Sequence, residues 1–150
     1  MNHIDAAVQA FLEGYNCAQA VAVAFSDVTG LDKDLSARLA SPFGGGMGRM
    51  REVCGAVSGM LLVVGILYGY DDPKATTAKR ELYTQVQEMA GAFRAENGSI
   101  ICRDLLQNPS DHPNPSPRTA EYYQTRPCVR MVETAARILE EYIETHPMET

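Results

Sequence analysis

FGGGMGRMREVCGAVSGMLLVVGILYGY, residues Phe43 to Tyr70, places a glycine-rich turn, two arginines and a cysteine directly ahead of an uncharged apolar run. Three readings compete for it: a phosphate loop, a membrane anchor, and the foot of a buried helix. A Walker-type loop needs Lys and then Ser or Thr after its glycines, whereas Gly48 is followed by Arg49 and Met50. A dinucleotide fingerprint needs a preceding strand, and the preceding LSARLASPF has a helical pattern. The run from Val53 to Tyr70 is about the length of a membrane span, and Gly55, Gly59, Gly65 and Gly69 form two GxxxG spacings. The rest of the chain decides between span and core.

That remainder is amphipathic. Ala75, Ala78, Leu82, Val86, Met89 and Phe93 recur at three and four on a long helix expected to open at Pro73. Val129, Val132, Ala136, Leu139 and Ile143 form the same stripe on a last helix. Residues 3–13, 17–28 and 33–41 give shorter helices, broken near Gly14 and at Pro42. Strand alternation is absent. These stripes need a partner, so the span reading is set aside and the expectation is an all-α, single-domain bundle over 1–150. Its central and most buried helix would be the apolar glycine-containing segment at about 53–69. A proline-rich segment at about 107–118, QNPSDHPNPSPR, reads as a surface loop.

Of the 150 residues, 45% are hydrophobic and 21% charged, the range of an ordinary globular domain. A formal net charge of −6 opposes nonspecific binding to nucleic acid, which is therefore not expected as a partner. The first residues carry no basic flank before an apolar stretch, so a cytoplasmic location is expected. In reducing surroundings, four cysteines point to catalysis, metal binding or redox chemistry rather than to a disulfide framework, although buried thiols also serve as small hydrophobes.

The cysteines share a position. Cys17 follows Asn16, Cys54 follows the glycine turn, Cys102 lies shortly after Ser99, and Cys128 follows Pro127. Each falls in or near a first helical turn, where open amides and the helix dipole favour a thiolate. Antiparallel helices would bring these starts to one end of the bundle. Gly44, Gly45, Gly46 and Gly48 with Arg49 and Arg51 form a candidate anion nest, against the plainer reading of a turn that only glycine tolerates. The arginines also make Cys54 an expected acidic thiol, with Glu52 opposing. No CxxC is present, and the cysteine intervals match no compact metal template. His3, His112 and His146 read as exposed, and Tyr15, Tyr68, Tyr122 and Tyr123 read as packing residues that could flank a site.

Cys17 in GYNCAQAV, the block FGGGMGRMREVCGAVSG, and Cys102 and Cys128 in that order resemble the C_GCAxxG_C_C family, whose redox role is inferred from sequence. Cys54, Gly55, Ala56 and Gly59 fit its CGAxxG core, and the resemblance covers essentially the whole chain. It implies a small helical protein with a four-cysteine redox site made of Cys17, Cys54, Cys102 and Cys128. The partner would be a redox protein or a small thiol or disulfide, and a homo-oligomer is left open. A similar cysteine-bearing domain is associated with iron–sulfur ligation, so the same four thiols stand as an alternative ligand set for an iron–sulfur cluster or zinc. A structural bundle with buried thiols is the second alternative.

Overall fold

The computed structural model describes residues 2–107 and 109–148, so Met1, Glu149, Thr150 and Asn108 of the proline-rich segment lie outside it. The fold is all-α; among the described residues the only β pairing is an isolated antiparallel bridge between Val53 and Ile101. Helix α1 (His3–Leu12) starts at Asn2, whose side chain accepts from the Asp5 amide at 2.8 Å. Helix α2 (Cys17–Ala24) has a reciprocal cap between Asn16 and Gln19. A separate turn, α3 (Ser26–Thr29), ends at Gly30 with φ 78°, and α4 (Lys33–Ala40) opens on Asp32. A short 3-10 turn (Ser41–Phe43) leads into the irregular turn α5 (Gly44–Met47). Then come α6 (Gly55–Tyr68), α7 (Thr76–Asn97), α8 (Cys102–Leu106), α9 (Ala120–Thr125) and α10 (Cys128–Thr145).

Helix α6 packs against α2, α10, α7 and α4, while α2 also meets α1 and α10. Phe11, Val21, Phe25, Val57, Met60, Val64, Met89, Phe93, Val132 and Leu139 are buried in one core. The approach of α2 to α6 depends on Gly59: a Cβ there would lie 2.5 Å from the Ala18 carbonyl oxygen. Small residues thus bring two helix backbones close. No helix among the described residues is long and apolar enough to cross a membrane.

Several sequence expectations shift. The most buried helix is α2, which has no exposed residue; α6 exposes Gly65 and Ile66 near its end. The helix expected over 17–28 breaks at Phe25, whose ψ of 16° leaves the α region. Pro73 lies in the turn before α7 rather than opening it, and the α7 stripe is fully buried only at Met89 and Phe93. Helix α9 interrupts the connection to the last helix. His3 is part-buried rather than exposed, stacked 4.4 Å from Phe25 and bonded to Glu140 and Asp27, which ties α1 to α10 and α3.

Candidate functional site: a thiol cavity walled by arginines

The glycine turn runs left-handed. Gly45, Gly46, Met47, Gly48 and Arg49 have φ of 67°, 71°, 71°, 59° and 64°, and Arg51 follows at 63°. Such a conformation costs about 1–2 kcal/mol for each residue with a side chain, so Met47, Arg49 and Arg51 are held there by their surroundings. The turn closes on itself: Gly48 N donates to Pro42 O (2.8 Å), Arg49 N to Gly44 O (3.2 Å), Arg51 N to Gly45 O (3.2 Å) and Glu52 N to Gly46 O (2.8 Å). The amides of Gly48, Arg49 and Arg51 are therefore spent within the turn. What the reversal delivers inward is the Arg51 side chain, only 4% exposed.

Beyond the turn, Cys54 N donates to Ile100 O (2.7 Å) and Cys102 N to Glu52 O (2.6 Å), a backbone clasp that seats the starts of α6 and α8 side by side. Two glycines let the thiols crowd. A Cβ on Gly46 would lie 2.6 Å from that of Cys102, and one on Gly55 would lie 3.3 Å from that of Cys17. At the far end of the chain, α10 begins at Cys128.

All four cysteines line one cavity of about 60 Å³, together with Phe11, Asn16, Gly45, Gly46, Arg51, Gly55, Arg118, Tyr122, Arg126 and Met131. All four are free thiols. Of the anion-site candidates, Gly45, Gly46 and Arg51 reach this cavity; Gly44, Gly48 and Arg49 are not among its lining residues. Arg49 instead donates to Ser116 Oγ at 3.4 Å.

The thiols differ sharply. Cys128 is brought down to about 7, first by a hydrogen bond from Cys17 and then, against its own burial, by Arg126, Tyr122 and Arg118. Cys17, donating that bond, is raised well above the ordinary thiol value by it, by burial and by the neighbouring sulfurs. Helix α2 is capped by the Asn16 side chain, whereas no side chain caps α10. Cys54 is pushed up to about 12 by burial, which outweighs the amides of Ala56 and Val57 facing it. This reverses the expectation that Cys54 is an acidic thiol: the first-turn amides are present, but desolvation is larger. Cys102 is also raised by burial, although Arg51 Nη1 lies 3.7 Å from its sulfur.

Arg118 and Arg126 escaped sequence reasoning. Arg118 comes from the end of the proline-rich segment and donates to Phe11 O and Tyr15 O, each at 2.9 Å, with its guanidinium 4.3 Å from the Phe11 ring. Arg126 lies 4.7 Å over the Tyr122 ring and donates to Ser116 Oγ at 3.1 Å. The segment expected to be plain surface thus braces the cavity. The one available signal was Arg126, two residues before Cys128.

The alternative ligand set of Cys17, Cys54, Cys102 and Cys128 lines the one cavity. Among the described residues, no three Cys, His, Asp or Glu side chains are grouped closely enough to hold a metal ion.

The structure is thus a helical protein that gathers four free thiols in one cavity walled by arginines. The chain belongs to the C_GCAxxG_C_C family: the family described as "Putative redox-active protein (C_GCAxxG_C_C)" matches it over residues 15–142, a span that includes all four cysteines and the glycine turn. No curated protein and no solved structure matches it.

Proposed function

We propose that this chain acts as one four-cysteine domain carrying a dithiol–disulfide couple, in which Cys128 attacks and Cys17 resolves. The observation that carries this reading is that Cys17 and Cys128 line one cavity together with Arg118 and Arg126, where each thiol acts on the other so that Cys128 is lowered and Cys17 raised. A thiol near ambient pH combines a sizeable thiolate fraction with retained nucleophilicity. The Cys128 thiolate attacks one sulfur of a substrate disulfide, forming a mixed disulfide and expelling the other sulfur as a thiolate. Cys17 then loses its proton and attacks Cys128 Sγ, which releases the second substrate thiolate and leaves a Cys17–Cys128 disulfide. Two electrons pass to the substrate, and an external dithiol restores the pair. A redox protein or a small disulfide is the corresponding partner, and free thiols suit the reducing cytoplasm.

Cys54 and Cys102 are raised by burial, so they are inner-wall thiols in this scheme and not first attackers. Four single variants, each cysteine to Ser, scored for reversible two-electron oxidation, test the division of labour. Cys17→Ser and Cys128→Ser should abolish it. Loss confined to Cys54→Ser and Cys102→Ser would refute the assignment.

A further inference from the structure

The charge balance of the cavity is unresolved by the protein itself. Arg49, Arg51, Arg118 and Arg126 all belong to its wall or to the side chains bracing it, and none of them makes an ion pair among the described residues. This is unusual in a chain of net charge −6, where carboxylates are in excess. Arg49 is lowered by burial and then by repulsion from Arg51 and Arg126, which shows that these like charges share one field.

Arg51 is the deepest of them. Its Nε donates to Ser110 O at 2.8 Å and its Nη1 faces Cys102 Sγ at 3.7 Å, but Nη2 is buried without a hydrogen-bond partner. Leaving a buried charged donor unpaired costs its full desolvation penalty, so the orphan marks a missing acceptor. Cys102 does not neutralise the guanidinium, because burial keeps that thiol protonated at ordinary pH.

We propose that the cavity is a binding site for a small oxyanion, with the Arg51 guanidinium, which has no acidic partner among the described residues, as its inner cation and Arg126 as a second. A volume of about 60 Å³ has room for a few water molecules or one small polyatomic anion. Guanidinium donors match the planar and tetrahedral oxygens of carboxylate, sulfate and phosphate groups. Anion binding itself does not need the Cys17–Cys128 couple. If that couple operates, the site selects substrates bearing a small acidic group next to the reacting sulfur. An occupied site also places negative charge beside Cys128, which raises that thiol and slows its reaction.

The test is calorimetric titration of the fully reduced protein with sulfate, phosphate and acetate, against chloride at matched ionic strength. At least one oxyanion should bind saturably to a single site, and the same concentration range should slow Cys128 alkylation. Tetrahedral anions binding alone identify an inorganic oxyanion; acetate binding identifies a carboxylate. Arg51→Met should weaken binding roughly ten- to hundredfold, the usual worth of a charge-assisted bond. Arg126→Met should weaken it severalfold and serves if Arg51→Met does not fold. Binding should persist in Cys128→Ser even though its reversible oxidation is lost, which keeps the two proposals separately readable. Responses that chloride reproduces, or oxyanion affinities unchanged in the folded arginine variants, would overturn the site.

Discussion

Replacing Gly59 by Ala tests how the bundle brings its thiols together. The added Cβ would meet Ala18 O at 2.5 Å, Ala18 Cα at 3.0 Å and Ala18 C at 3.1 Å. All three atoms are backbone of α2, so no flexible side chain can swing aside, and the closest approach is about 1 Å short of ordinary contact. Overpacking of this kind costs about 1–3 kcal/mol, while the better helix propensity of Ala returns about 1 kcal/mol. Because the obstacle is a packed helix, the net expectation is a loss of about 1–2 kcal/mol, or roughly 2–8 °C in Tm for a domain of this size. Gly65→Ala is the matched control in the same helix: its added Cβ would meet nothing within 4 Å, and the site is exposed. There the propensity gain should stand alone, raising Tm by about 2–4 °C. Thermal melts followed by far-UV circular dichroism measure both. Since α2 begins at Cys17, its displacement should also lower the yield of reversible thiol oxidation. If Gly59→Ala were as stable as Gly65→Ala, the close α2–α6 contact would not exist as described.

The alkylation rate of Cys128, followed against pH in a variant keeping only that cysteine and Cys17, should turn over near pH 7, and Arg126→Gln should move the midpoint upward because a stabilising cation is lost. An unshifted midpoint in Arg126→Gln would remove that arginine from the account. The ring of His3 is opposed by burial but raised overall by Asp27 and Glu140, so its stabilisation is complete below 6.5 and lost as pH rises through the raised value. His3→Gln should therefore lower Tm more at about pH 5.5 than at about pH 9, and an equal or reversed difference would contradict the pairing. Arg118→Met removes two donors from carbonyls at the end of α1 and should cost about 1–3 kcal/mol by denaturant unfolding. An unchanged midpoint would show those bonds to be idle.

The helical class was legible because periodicity survives without tertiary information: the stripe on α10 from Val132 through Ala136 to Leu139 is buried as its spacing requires. The four cysteines were legible as a group because first-turn positions are marked by caps, prolines and glycines in the local sequence. Their ranking was not. The amides facing Cys54 are a local feature and were anticipated, but the desolvation that outweighs them depends on how the whole core closes over that sulfur. Likewise, Arg118 acts on Cys128 only because a proline-rich segment folds back across the end of α1, which no periodicity announces. The left-handed turn at Gly45, Gly46 and Gly48 was legible from the glycines themselves, but its continuation through Met47 and Arg49 was not, since residues with side chains argue against that conformation.

The central claim is that one particular pair of thiols forms the working couple. The reduced protein, poised in graded thiol–disulfide buffers, quenched with acid, alkylated and mapped by mass spectrometry, reports which cysteines join first and at what potential. The account predicts a Cys17–Cys128 disulfide as the first and reversible product, with Cys54 and Cys102 still alkylated as free thiols. A first product joining Cys54 to Cys102, or reversible oxidation that persists in Cys128→Ser, would contradict it.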